Sequence, residues 1–226
     1  LEPKQEKITE IAALKVVDGV ISQRYVTFVN PGRSLGAYIT QLTGITDGML
    51  ADAPPIEELI EDVVKFCGDL PLLGHNIRFD YSFLKHAAVN RRLEFEREGI
   101  DTLTLCRAFM TGETRKNLSC ACSYFHVPQS TAHRAQADAK AAHLLYQELM
   151  SRHGQDQPSM FDPKPLIYKA KRDQAATKRQ KEYLQDLLKC HRIDVTVQIE
   201  DMSRSQASRM IDTIISQYGR IPRQIS

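Results

Sequence analysis

The sequence predicts an α/β protein, a mixed sheet flanked by helices, followed by a small, mainly helical C-terminal module. Three observations carry this. Two apolar, alternating segments near the N-terminus are joined by Asp18-Gly19, the signature of an antiparallel hairpin. Short apolar runs then alternate with segments of helical periodicity up to about residue 150. Beyond a proline-rich stretch lie two segments with helix start signals and aliphatic stripes.

Taken in order, Ile8 to Val17 and Tyr25 to Val29 read as the two strands of the hairpin. Pro31 to Pro55 reads as loop, punctuated by Gly32, Gly36, Gly44 and Gly48. Ile56, Leu59, Ile60, Val63 and Val64 have the spacing of an amphipathic helix over 56–66. Leu70 to Gly74 reads as a short strand that feeds a helix through Phe79, Phe83 and Leu84. Further helices are expected over 118–125 and 134–150. Gly154, Pro158, Pro163 and Pro165 then break the pattern, so 151–176 is expected to be an extended linker between a 1–150 domain and a 177–226 module. In that module Thr177-x-x-Gln180 and Ser203-x-x-Gln206 have capping-box spacing. Tyr183, Leu184, Leu187 and Leu188 form one apolar stripe, and Met210, Ile211, Ile214 and Ile215 the other, which stops at Gly219. Val195, Val197 and Ile199 alternate like a short strand between them.

The bulk properties narrow the class. With 226 residues the chain accommodates one ordinary domain and a small extra module. It is 42% hydrophobic and 26% charged, with no apolar run near membrane-spanning length, so no membrane partner is expected. The N-terminal LEPKQEKITE lacks the basic-then-apolar pattern of a signal peptide. Five scattered cysteines with no Cys-x-x-Cys pair argue against a disulfide scaffold or a zinc site and suit reduced thiols in a cytoplasmic protein. Charge is uneven: residues 1–163 carry −4 and residues 164–226 carry +6. An acidic body with a basic tail suits an enzyme with a carboxylate-rich metal site that holds nucleic acid nearby, and equally a solvated basic helix face.

Two segments bear chemistry. In Gly74-His75-Asn76-Ile77-Arg78-Phe79-Asp80 a strand delivers the chain to Gly74, and Asp80 falls on the helix that follows. A carboxylate at that junction is placed to hold a divalent cation, although Asp is also favoured at any helix N-terminus. In His133-Arg134-Ala135-Gln136-Ala137-Asp138, five helical residues turn through about 140°, so His133 and Asp138 would not share a helix face. They act together only if His133 lies on the loop before the helix, where its ring suits a general base because an imidazole titrates near neutral pH.

Together these segments closely resemble the DEDDh 3′–5′ exonucleases, the family of bacterial proofreading subunits and domains. The likeness spans about residues 1–150. Leu1-Glu2-Pro3 and Ile8 to Ala13 look like the segment after the family's first motif. Leu42-Thr43-Gly44-Ile45-Thr46 resembles the loop that contacts the terminal nucleoside. His75, Asn76, Phe79 and Asp80 match the second motif, Asp101-Thr102 and Lys116-Asn117-Leu118 the intervening segment, and His133, Arg134 and Asp138 the third. The resemblance implies an RNase H-like fold with two divalent cations, Mg²⁺ or Mn²⁺, clamping the scissile phosphate. It implies His133 as general base, Asp80 and Asp138 as metal ligands, and Leu42, Thr43, Ile45, Asn76 and Phe79 beside the last nucleotide. For those five, turn or core packing is the competing reading. The expected reaction is hydrolysis of a single-stranded or frayed DNA 3′ end to nucleoside monophosphates, in proofreading or repair. An RNA exonuclease is the alternative within the same chemistry, and a non-catalytic nucleic-acid or clamp-binding module the alternative outside it.

The family's Asp-x-Glu-Thr-Thr-Gly motif would fall immediately before Leu1, and its strand is normally central in the sheet. The 226 residues are therefore expected to be a fragment with little activity by themselves, with an inactive paralogue, or a site completed by another polypeptide, as the alternatives. Finally, Gln157-Pro158-Ser159-Met160-Phe161 resembles the peptide by which bacterial replication proteins bind the sliding clamp. An extended peptide there would insert Met160 and Phe161 into an apolar pocket while Gln157 supplies hydrogen bonds. The clamp and a DNA polymerase are thus the expected protein partners, with Phe161 anchoring the segment to the nuclease body as the competing reading.

Overall fold

A computed structural model describes residues 6–112, 115–130, 133–194 and 199–221. The chain forms two units, Leu1–Ala170 and Lys171–Ser226.

In the first unit, β1 (Glu10–Val17) and β2 (Val20–Phe28) pair antiparallel from Glu10↔Phe28 to Val17↔Val20. Asp18 (φ 50°) and Gly19 (φ 77°) are both left-handed, as a two-residue hairpin turn requires. The Gly19 carbonyl accepts from Gln147 Nε2 at 2.9 Å and pairs with His143 Nε2 at 3.1 Å, which ties the hairpin tip to a later helix. The second strand starts five residues earlier than the alternation at Tyr25 suggests, because Ile21 and its polar neighbours already pair with β1.

The segment expected to be loop holds two short helices, α1 (Ala37–Thr43) and α2 (Asp47–Leu50). Gly44 closes the first in a left-handed conformation, its N–H bonded to the Thr40 carbonyl at 2.9 Å. The Thr46 hydroxyl caps the second. Neither is long enough to show a periodicity. The expected helix α3 (Ile56–Cys67) buries Ile60, Val63 and Cys67.

From there the chain runs β3 (Leu72–Gly74), α4 (Ile77–Asn90), β4 (Glu98–Asp101) and α5 (Thr102–Phe109). Next come α6 (Leu118–Tyr124), α7 (Ala135–His153) and β5 (Lys164–Pro165). Strands β3 and β4 are parallel with α4 as the crossover, and β5 adds antiparallel to β4, so this sheet is mixed. Val29, Ile60, Val63, Ile77, Tyr81 and Phe95 form one core, and Leu105, Phe125, Leu145, Leu149 and Phe161 a second. The Tyr81 hydroxyl donates to the Phe95 carbonyl at 2.9 Å, so its one polar atom is satisfied.

The linker expectation is corrected here, since 151–170 belongs to the first unit. Helix α7 continues to His153, a 3-10 turn covers Pro158–Met160, and β5 joins the sheet. Pro165 is tolerated because β5 is an edge strand. Leu166 is buried, and a Cβ on Gly99 would lie 2.8 Å from its Cδ1, so a larger residue there would force the Leu166 side chain to shift. Phe161 is 3% exposed, its ring 6.0 Å from both Phe109 and Tyr146. The expectation that Gln157, Met160 and Phe161 form an extended docking peptide is corrected with it: Gln157 is exposed, but Met160 packs on the core and Phe161 lies inside it. Phe161→Ala is therefore expected to cost about 3–5 kcal/mol of stability, as for other buried aromatics, measured by urea unfolding.

In the second unit, α8 (Lys178–His191) and α9 (Arg204–Tyr218) both begin with complete capping boxes, Thr177/Gln180 and Ser203/Gln206. Leu184, Leu187, Ala207 and Ile214 form its core. Of the expected strand, 195–198 lie outside the described residues, and Ile199 begins a 3-10 turn (Ile199–Asp201).

Candidate active site

Strand β3 ends at buried Gly74, and the chain turns through His75 and Asn76 into α4. Asn76 takes a left-handed φ of 67°, which asparagine tolerates better than most residues. Its N–H donates to Asp101 Oδ1 at 2.8 Å, and the same oxygen accepts from Leu103 N at 2.9 Å, capping α5. His75 is held at both ring nitrogens, Nδ1 lying 3.0 Å from Thr102 Oγ1 and Nε2 2.8 Å from the Lys116 carbonyl. A carbonyl only accepts, so Nε2 carries the hydrogen and Nδ1 accepts from Thr102. Burial holds the His75 pKa below its ordinary value, which keeps the ring neutral. His75, Asp101 and Thr102 thus form a latch that fixes the turn carrying Asp80.

Asp80 lies in the first turn of α4, where the helix dipole favours a carboxylate. Burial nevertheless pushes its pKa up to about 6, helped by the nearby charges of Asp101 and Asp138. The residue as a whole is nonetheless exposed, so protein crowds the carboxyl without enclosing it. Phe79, the preceding residue, is 37% exposed, with its ring 4.9 Å from that of Phe83.

Helix α7 supplies the other half. His133 precedes it with a left-handed φ of 63° and an exposed side chain, so the expected loop placement is observed. Asp138 is in the first turn and half-buried. Burial raises its pKa, opposed by a hydrogen bond from the His133 backbone and by Gln129 Nε2 at 3.4 Å. The charge of Asp138 acts on Asp80, although 58 positions separate them. These are hard oxygen donors that repel one another, the kind of set that Mg²⁺ or Mn²⁺ relieves, and such ions keep several waters. The pair fits that ion class in chemistry, although no group of three or more His, Cys, Asp or Glu converges for a metal among the described residues.

The expected nucleotide contacts divide. Asn76 and Phe79 are exposed on either side of Ile77 and Arg78, next to Asp80. Leu42 is 38% exposed on α1, one turn beyond exposed Tyr38. The Thr43 hydroxyl is engaged locally, donating to the Ile39 carbonyl at 2.8 Å and accepting from Ile45 N at 3.1 Å. Ile45 is 1% exposed, as the competing reading of core packing expects. The local pattern missed Glu10, whose carboxylate meets the start of α7.

Comparison with known proteins adds an independent line. The RNase_T family model, described as "Exonuclease", matches residues 1–146. DNA polymerase III PolC-type of Bacillus subtilis is 40% identical over 148 residues, covering 64% of this chain and 10% of that protein. The 3′-5′ exonuclease DinG of the same organism is 30% identical over 150 residues, 66% of this chain and 16% of that protein. The chain thus spans a small part of the length of these relatives. Among solved structures, Exonuclease X in complex with 5′ overhanging duplex DNA is 27% identical with a TM-score of 0.56, covering 70% of this chain and 91% of that one. Exonuclease I, at 19% identity and a TM-score of 0.59 over 71% of this chain and 40% of that one, shares the fold.

Proposed function

The chain belongs to the RNase_T exonuclease family, and from that premise we propose that it is the catalytic part of a metal-dependent DEDDh 3′–5′ exonuclease acting on DNA. The observation that carries this is the single electrostatic site made by Asp80 on α4 and Asp138 on α7, with His133 at the neck of α7.

Asp80 and Asp138 would hold the cations, directly or through water. Bound divalent ions polarise the phosphoryl oxygens and lower the pKa of attacking water. His133 takes the proton of that water on a ring nitrogen while the water oxygen bonds to phosphorus and the phosphorus–O3′ bond breaks. The leaving 3′ oxygen takes a proton from solvent and becomes the hydroxyl of the new DNA end, and a nucleoside monophosphate departs. Phe79 and Leu42 offer apolar surface for the terminal nucleoside, and Asn76 offers an amide. The DNA preference is supported by the likeness to a DNA polymerase and to a DNA-bound exonuclease.

The test follows the protein as its gene encodes it on 3′-labelled and 5′-labelled DNA and RNA strands with Mg²⁺ or EDTA. Stepwise Mg²⁺-dependent loss of label from the DNA 3′ end is expected. Degradation from the 5′ end, or activity undiminished by EDTA, would contradict the proposal, and faster loss from RNA would reassign the substrate.

A pH dependence follows from Asp80. A carboxyl raised to about 6 is protonated at lower pH, and a proton and a cation compete for the same oxygens. Mn²⁺ affinity should fall as pH falls through that value, by about tenfold per unit below it, as measured by calorimetric titration.

A further inference from the structure

We propose that Glu10 is a positioning residue that fixes the backbone between His133 and Asp138. This deepens the exonuclease reading and rests on it.

Glu10 opens β1, and its side chain is only 8% exposed. Both of its oxygens are engaged at the same place. Oε1 accepts from Arg134 Nη2 at 2.9 Å, and Oε2 accepts from Arg134 Nε at 3.3 Å and from the Ala135 N–H at 2.9 Å. The side-on guanidinium pair fixes an orientation as well as a distance. Ala135 is the first residue of α7, and its N–H is one of the donors that a helix leaves without an internal partner. Arg134 occupies the N-cap position but carries no side-chain acceptor, so β1 supplies the cap in its place. The Arg134 guanidinium also lies 5.6 Å from the Phe28 ring centroid, and Phe28 is the residue paired with Glu10 in the hairpin.

His133 adjoins this clamp in a left-handed conformation that a non-glycine residue holds only where its surroundings impose it. On one side Arg134 and Ala135 are tied to β1, and on the other the His133 backbone is hydrogen-bonded to Asp138. Glu10 thus sets where the base stands relative to the metal-binding carboxylate. It serves α7 as the latch of His75, Asp101 and Thr102 serves α4.

A cap that only stabilises the helix would lower the melting temperature and leave turnover by the folded protein unchanged. A positioning residue lowers kcat and acts through His133. The test uses the protein as its gene encodes it, with Glu10→Gln and Arg134→Lys, each alone and with His133→Ala. Turnover of a DNA strand bearing a 3′ fluorophore is measured at a temperature where all variants are folded. Glu10→Gln should lower kcat by about 10²-fold with KM nearly unchanged, the effect of a small misplacement. In the His133→Ala background the same change should add no more than about threefold, because residues acting as a unit are non-additive. Wild-type turnover in Glu10→Gln, or its full effect persisting without His133, would overturn the proposal. If the unaltered protein shows no exonuclease activity, the nuclease reading fails separately. Positioning is then judged by the NMR backbone coupling that reports the His133 φ: its loss in Glu10→Gln supports the clamp, and its retention overturns it.

Discussion

Replacing Asp80 by Asn is expected to lower kcat by roughly 10³-fold, since a lost metal ligand removes several kcal/mol of transition-state charge stabilisation and each 1.36 kcal/mol is tenfold. The change is nearly isosteric and leaves the latch at His75, Asp101 and Thr102 untouched. It also removes a carboxylate from the field of Asp101 and Asp138, which raises the energy of the ionised form. In EDTA the Asp80→Asn variant should therefore melt no lower than the unaltered protein. That combination separates a functional carboxylate from a structural one, which would lose stability on neutralisation. Steady-state kinetics and thermal melts on the same preparations check it. A variant that keeps its activity would remove Asp80 from the metal site.

His133→Ala is expected to lower kcat by about 10²–10⁴-fold with little change in KM, the usual contribution of a general base. The exposed side chain contributes little packing, so a loss of activity would not reflect unfolding. His133→Asn is the better control for backbone effects, because asparagine tolerates the left-handed conformation at this position. Protonation of Asp80 below about 6 weakens metal binding, so the rate falls on the acid side of the pH profile. A His133→Ala variant that keeps the kcat of the unaltered protein would contradict the assignment of His133 as base.

The hairpin is legible because Asp18-Gly19 sits between alternating strands, and α8 and α9 because complete capping boxes precede their stripes. Asp80, His133 and Asp138 are legible as motifs, and the structure joins the two carboxylates electrostatically. What stays hidden depends on distant partners. Phe161 looks like an exposed anchor until Phe109 and Tyr146 close around it. Ile45 follows a glycine and a threonine in a loop-like stretch, yet it is enclosed because α1 and α2 form there. Prolines at 158, 163 and 165 suggest a linker, and only pairing of β5 with β4 shows an edge strand. The pairing of Glu10 with Arg134 spans 124 positions, beyond the reach of any local pattern. Local signals report helices, turns and motifs, whereas the supports that hold the motifs in register are tertiary.

The central claim is that α4 and α7 jointly hold a catalytic divalent cation. Its most direct test is Mn²⁺ binding followed by electron paramagnetic resonance, on the protein as its gene encodes it and on the Asp80→Asn/Asp138→Asn double variant. Saturable binding near neutral pH, lost in the folded double variant and weakened below about pH 6, is the predicted result. Equal Mn²⁺ uptake by both proteins would contradict it, because the cation would then be held elsewhere.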